Sequence, residues 1–319
     1  MNHRELTWVL VLAGGAAEPP GSTGARTGIS SGSPFGALLE PRSLLKMTLA
    51  RARRLVPSER ILVLVDRAQK RHLGGSLEEM PCENVIVQPQ NRGSAVDILL
   101  AYLTMLKRDP WTRIVALPSY HYVHDEPALA STLLDVATPT GQTRNKVTLV
   151  GIHPAEADPE LSYILPGRWF EDGTRSVRGL VDSSDKASAL EMVARGALWD
   201  SSIVAARAVV LLSVLRARMP DLVNQMEMTL AHSDSPDARA GALEQLYAHL
   251  PFVDFSRVVA EGAAPECRVI TSRRCGWSAL GTSRRVSAVM RRLQIPSKAT
   301  AAPYGDPDHH RERGATYDR

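Results

Sequence analysis

The chain has 319 residues, 44% of them hydrophobic and 23% charged, with a formal net charge of +4. That balance excludes a fibrous or disordered chain and is long enough for a large α/β core. The basic residues are dispersed, in Arg51-Ala52-Arg53-Arg54, Arg273-Arg274 and Arg284-Arg285, a pattern of solvated helix faces and turn ends rather than of a nucleic-acid surface. Three cysteines, Cys82, Cys267 and Cys275, lack metal-ligand spacing, and their odd number fits free thiols in a reducing compartment. The polar start, Met1 to Thr7, runs straight into a short apolar stretch, with neither a signal-peptide design nor a span long enough for a membrane. A cytoplasmic protein without membrane or nucleic-acid partners is expected.

In chain order, Trp8 to Leu12 reads as a strand closed by Ala13-Gly14-Gly15. Ser43 is placed to cap a helix with Leu44, Leu45, Leu49, Ala52 and Leu55 at helical spacing. Ile61 to Val65 is a strand, and the unit repeats as Asn84 to Val87, a helix from Ser94 to Lys107, and the strand Arg113 to Leu117. A helix near Pro127 to Val136 leads to the strand Lys146 to Ile152. Strands apolar on both faces and alternating with helices predict a mainly parallel sheet covered on two sides. The turns after Leu12, Val87 and Leu117 should then converge on a ligand site. Further on, Tyr163 to Leu165, Gly179 to Val181 and Ile203 to Ala206 read as strands, and Lys186 to Arg195 and Ala208 to Met219 as helices, the last stopped by Pro220. A domain over 1–289 and a polar tail over 290–319, too poor in apolar residues to order, complete the expected organisation.

Several short segments carry chemistry together. They are Leu12 to Gly15, Arg42 to Leu45, Gln88-Pro89-Gln90-Asn91-Arg92-Gly93-Ser94-Ala95, Leu117-Pro118-Ser119-Tyr120-His121, Val150 to Pro154, Ser162-Tyr163-Ile164, Leu198 to Ser201, Val253 to Ser256 and Gly276 to Thr282. In that order and spacing the chain resembles the mannose-1-phosphate guanylyltransferase branch of the sugar-phosphate nucleotidyltransferases, up to about Val289. The resemblance implies a Rossmann-like three-layer α/β nucleotidyltransferase fold. It also implies a reaction in which a sugar 1-phosphate attacks a GTP-like nucleotide and pyrophosphate leaves, chemistry that rests on positioning and neutralising phosphate charge. It places nucleotide contacts at Leu12, Ala13, Gly14, Gly15, Gln88, Arg92, Gly93 and Ser94, and sugar contacts at Tyr163, Asp200, Ser201 and Trp277. Catalytic roles fall to Arg26, His121 and Asp182.

The departures cluster at the reacting atoms. Two aspartates that hold Mg2+ in the family are here Tyr120 and Ala279, so no metal ligand is assigned and the Mg2+ of the family is doubtful for this chain. The glycine-rich loop is lengthened and contains Pro19 and Pro20, a lysine of that loop aligns with Phe35, and a sugar-phosphate lysine aligns within Asp182-Ser183-Ser184. Weak or lost catalysis is expected. The alternative is a non-catalytic nucleotide- or sugar-binding subunit that docks on an active partner or on its own copies. Plain readings stand beside these roles: His121, His124 and His153 as ordinary loop histidines, Trp199 and Trp277 as packing residues, Ser94 as a helix cap, Arg92 as a solvated helix-start residue, and Asp254 as a turn residue.

Overall fold

The computed structural model describes residues 7–13, 41–109, 111–138, 143–231 and 235–293. Gly14, Gly15, Arg26 and Phe35, and the tail from residue 294, lie outside the described residues. The strands are β1 (Thr7–Leu12), β2 (Ile61–Asp66), β3 (Val85–Gln88), β4 (Arg113–Pro118), β5 (His121–Tyr122), β6 (Val147–Ile152), β7 (Ser162–Trp169), β8 (Arg175–Asp182), β9 (Leu198–Arg207), β10 (Cys267–Thr271) and β11 (Ser278–Ala279). The described helices are α1 (Pro41–Arg53), α2 (Arg67–Leu77), α3 (Ser94–Leu106), α4 (Glu126–Ala137), α5 (Lys186–Ala194), α6 (Ala208–Arg218), α7 (Pro220–Ala231), α8 (Pro236–His249), α9 (Phe255–Val258) and α10 (Ser283–Arg292).

Nine strands form one sheet in the order β3-β2-β1-β4-β9-β6-β10-β8-β7, and β5 pairs with β11 in a separate two-stranded ribbon. β8 and β9 oppose the other seven strands, so the sheet is mostly of one direction, with β9 wedged antiparallel between β4 and β6. The period-two alternation of the strands explains the layers. Leu10, Leu12, Leu62 and Leu64 pack on one face with α3 and with Leu211 and Leu215 of α6. Val9, Val11, Ile61, Val63 and Val65 pack on the other, against Leu45, Leu49 and Ala52 of α1 and Leu129, Leu133 and Val136 of α4. The result is three layers, with α3 almost wholly buried. The chain order reverses between β1 and β4, and a crevice opens at such a switch point, at the carboxyl ends of the strands.

Some sequence expectations shift. Ser43 does not cap α1, because the helix already runs from Pro41, and a proline suits the first helical position. α2 is hidden in the sequence by Gly74-Gly75, which break its helical pattern. Pro220 ends α6 as expected but also opens α7. α10 continues to Arg292, past residue 289. Cys82 is exposed, Cys267 and Cys275 are buried, and all three are free thiols. No helix among the described residues is long and apolar enough to cross a membrane.

Candidate functional site

The expected convergence of strand ends is present. A cleft of about 510 Å³ at the switch point is lined by Leu12 and Pro118 from the two strand ends, by Asn91, Gly93, Ser94 and Asp97 from the start of α3, and by Tyr120, Ser162, Asp182, Ser202 and Asp254. The β7–β8 hairpin pairs Ser162 with Asp182 at its mouth, and Ser162 Oγ donates to Asp182 Oδ1 at 2.5 Å. Its described lining is acidic: Asp97, Asp182 and Asp254 face one cation, Arg257, which is itself paired with Glu261 at 2.6 Å.

The resemblance places nucleotide contacts at Arg92, Gly93 and Ser94, at the start of α3, and in the structure the polar groups there have partners within the chain. Gly93 has φ +93°, and a Cβ there would stand 2.3 Å from the carbonyl oxygen of Val253, so the position requires glycine on both counts. The segment Val253-Asp254 closes on the helix end: Ala95 N donates to Val253 O at 3.0 Å, and Ser94 N and Oγ both donate to Asp254 Oδ1 at 3.1 Å. Asp254 thus takes the place that an anion would occupy at this terminus. Arg92 points away from the cleft. Its Nε donates to Tyr247 O at 2.9 Å and its Nη2 to Ala248 O at 3.3 Å, the carbonyls at the end of α8. Gln88 is fully buried and accepts from the Tyr247 hydroxyl at 3.1 Å, and Ala13 is buried with its amide on Leu64 O. Neither lines the cleft.

A smaller cavity of about 220 Å³ adjoins the cleft through Tyr120, Ser162 and Ser202. The β5–β11 ribbon builds it: Ala279 stands opposite His121, and Leu280 N donates to Tyr120 O at 2.9 Å. Tyr120 and Ala279 therefore line one cavity. His121 is stacked edge-on between Tyr120 and Trp277, with ring centroids 4.8 and 5.0 Å away. Burial holds its pKa well below the ordinary value, reinforced by the Arg51 charge, so the ring is a neutral packing group. Asp200 is buried with Oδ1 on Ser202 N at 2.8 Å and Oδ2 on Ser256 Oγ at 2.6 Å, and burial raises its pKa.

Two sugar candidates belong to the core instead. Tyr163 is fully buried, with its hydroxyl on Asp158 O at 3.0 Å. Ser201 is fully buried and donates to Val150 O at 2.6 Å. The neighbour, Ser202, reaches both cavities; it is the non-glycine residue with positive φ, +55°, among the described residues. It lies within the register shift of β9 against β6, between Asp200, paired with Gly151, and Val204, paired with Leu149. Nothing local in the sequence marks it. Arg285 was also missed: it joins α10 to Asp158 (3.3 Å) and Glu160 (3.2 Å) and borders the small cavity.

No protein-family model matches the chain. It is 24% identical over 206 residues to an alginate biosynthesis protein AlgA of Pseudomonas fluorescens, covering 64% of this chain and 42% of that protein. It is 25% identical over 202 residues to a putative mannose-1-phosphate guanylyltransferase of Vibrio cholerae, covering 62% and 42%. The chain thus spans well under half the length of these relatives. Among solved structures, one described as a mannose-1-phosphate geranyltransferase of Thermus thermophilus superposes with a TM-score of 0.73 at 24% identity, over 91% of this chain and 80% of that one. The chain is thus similar, at low identity, to an alginate biosynthesis protein and a putative mannose-1-phosphate guanylyltransferase. It has the fold of the sugar-phosphate nucleotidyltransferases.

The sugar-phosphate nucleotidyltransferases generally use Mg2+, and the residues at the two positions that the resemblance assigns to it do not fit the ion. Burial pushes the Tyr120 phenol up to about 12, so it stays protonated and a poor ligand for a hard cation, while Ala279 offers no donor atom. The carboxylates that line the small cavity are committed: Asp200 to Ser202 and Ser256, Glu160 to Thr282 and Arg285. Among the described residues no group of three or more His, Cys, Asp or Glu side chains is arranged to hold a metal.

Proposed function

We propose that this protein is a mannose-1-phosphate guanylyltransferase-like member of the sugar-phosphate nucleotidyltransferases that receives a nucleotide and sugar phosphate in the cleft but performs metal-dependent transfer weakly or not at all. The observation that carries this reading is the meeting of Tyr120 and Ala279 on one cavity, two positions far apart in sequence that both lack an anionic donor. Transfer from a nucleoside triphosphate concentrates negative charge, and each missing group that would stabilise it costs a few kcal/mol. The acidic described lining adds repulsion rather than relief. The three free thiols support a reducing, cytoplasmic setting.

The test is release of pyrophosphate by the purified chain across nucleoside triphosphates and sugar 1-phosphates, with Mg2+ or Mn2+, for the wild type and for Tyr120→Asp, Ala279→Asp and the double variant. The wild type is expected to be slow or silent. The double variant is expected to bind Mg2+ with nucleotide more tightly than the two single gains combined would give, because both carboxylates serve one ion. Rapid turnover by the wild type, or strictly additive gains, would refute the reading of the two positions.

A further inference from the structure

The loop after β10 and the end of α10 enclose another cavity, of about 420 Å³, that shares Leu161, Trp277, Ala279 and Arg285 with the Tyr120–Ala279 cavity but no described residue with the main cleft. Its walls carry four arginines, Arg273, Arg274, Arg285 and Arg292, against two carboxylates, Glu156 and Asp158. Asp158 is already spent on Arg284 and Arg285, and Glu156 interacts with Arg284. The guanidinium groups of Arg273, Arg274 and Arg292 make no hydrogen bond or ion pair among the described residues, and all three residues are exposed. Positive charge is therefore left over, on side chains that solvent and ligands can reach.

The loop that holds these groups is tied to its neighbours by backbone hydrogen bonds. Ser272 N donates to Gly151 O at 2.8 Å, and Cys275 O accepts from His124 N and Asp125 N at 3.1 and 2.9 Å. Arg273 N donates to Thr132 Oγ1 at 3.3 Å. Gly276 has φ +62°, and a Cβ there would stand 2.8 Å from His124 Cβ and 3.8 Å from Arg292 Nη1, which sets Arg292 directly over the loop that carries Arg273 and Arg274. A second observation is independent of the charges. Trp277, only 5% exposed, forms part of the wall between this cavity and the Tyr120–Ala279 cavity, and its Nε1–H has no acceptor among the described residues, an unspent donor of a kind that buried sites seldom leave.

Guanidinium forks match phosphate oxygens two at a time, and a cavity of this size suits a small molecule. We propose that this cavity is a binding site, separate from the nucleotide cleft, for a small ligand that bears a pyrophosphate or similarly clustered phosphate group.

Isothermal titration of the full chain with sodium pyrophosphate, without divalent metal and at fixed ionic strength, tests it. One site is expected, with affinity weakened by at least about tenfold in Arg274→Ala/Arg292→Ala and by less, though measurably, in Arg274→Lys/Arg292→Lys, which keeps the charge but loses the bidentate fork. Asp182→Asn, in the main cleft, should leave this binding unchanged, so failure here and failure of the transferase reading can be told apart. A readout on the unaltered protein is protection: pyrophosphate should shield Arg274 and Arg292, but not Arg216, from phenylglyoxal. Wild-type binding no stronger than that of sulfate, binding that survives the double alanine variant, or unprotected arginines would each overturn the proposal.

Discussion

Asp97 is a carboxyl group placed in the first turn of the most buried helix of the fold, 4% exposed, and burial pushes its pKa from 3.8 to about 7 while the neighbouring Gln88 amide pulls the other way. The folded chain therefore keeps this proton at pH values where the unfolded chain, with a pKa of about 3.9, has released it. Unfolding then releases a proton, and the contribution to stability falls as the pH rises from about 4 to about 7, by at most about 1.4 kcal/mol per unit. His121 has the opposite sign. Its depressed pKa means that the unfolded chain takes up a proton below about 6.5, so stability from that group is lost as the pH falls. Subtracting one protein from another separates the two: urea midpoints of Asp97→Asn minus wild type should grow steadily between about pH 4 and 7 and then level off. A difference that stays constant across that range would show that Asp97 is ionised throughout.

At the scale of elements, Arg92 and Asp254 make the start of α3 a joint between three segments. The chain around residue 253 lies against that helix end, and Arg92 and Gln90 reach across to the carbonyl of Tyr247 at the end of α8. Orphan carbonyls at a helix end welcome a cation both as hydrogen-bond acceptors and as the negative pole of the helix. Arg92→Ala should accordingly cost about 1–2 kcal/mol of stability, seen as a melting temperature lowered by a few degrees, and leave nucleotide affinity unchanged. A selective loss of nucleotide binding with unchanged stability would return Arg92 to the ligand.

Across the whole molecule the sheet sorts charge. The exposed carboxylates Asp182 and Asp254 line the cleft beside the buried, proton-retaining Asp97, and arginines without a described ion pair gather beyond Trp277 at the other cavity. A triphosphate that approaches the cleft without metal meets like charge, so neutralising the exposed Asp182 should strengthen metal-free GTP binding. Asp182→Asn is expected to improve it by about threefold, the scale of one screened surface charge, measured by fluorescence titration at low salt. Unchanged or weaker affinity would mean that Asp182 is needed by the ligand rather than opposed to it.

The sequence by itself determined the kinds of element and their order. Strands such as Val9–Leu12 and Ile61–Val65 are apolar at every position, so they are buried on both faces wherever they lie, and that local rule already demands helices above and below the sheet. The order of short motifs was enough to indicate the family. What tertiary structure decided was which partner each polar group received. Gln88, Arg92, Tyr163 and Ser201 sit where the motifs placed them along the chain, yet their side chains serve Tyr247, the end of α8, Asp158 and Val150. Ser202 and Arg285 entered the site with no local signal. Periodicity acts over a few neighbouring residues, whereas a side chain's partner depends on which distant segment fills the space before it. The Asp254 carboxylate that reaches Ser94 across 160 residues was such a segment.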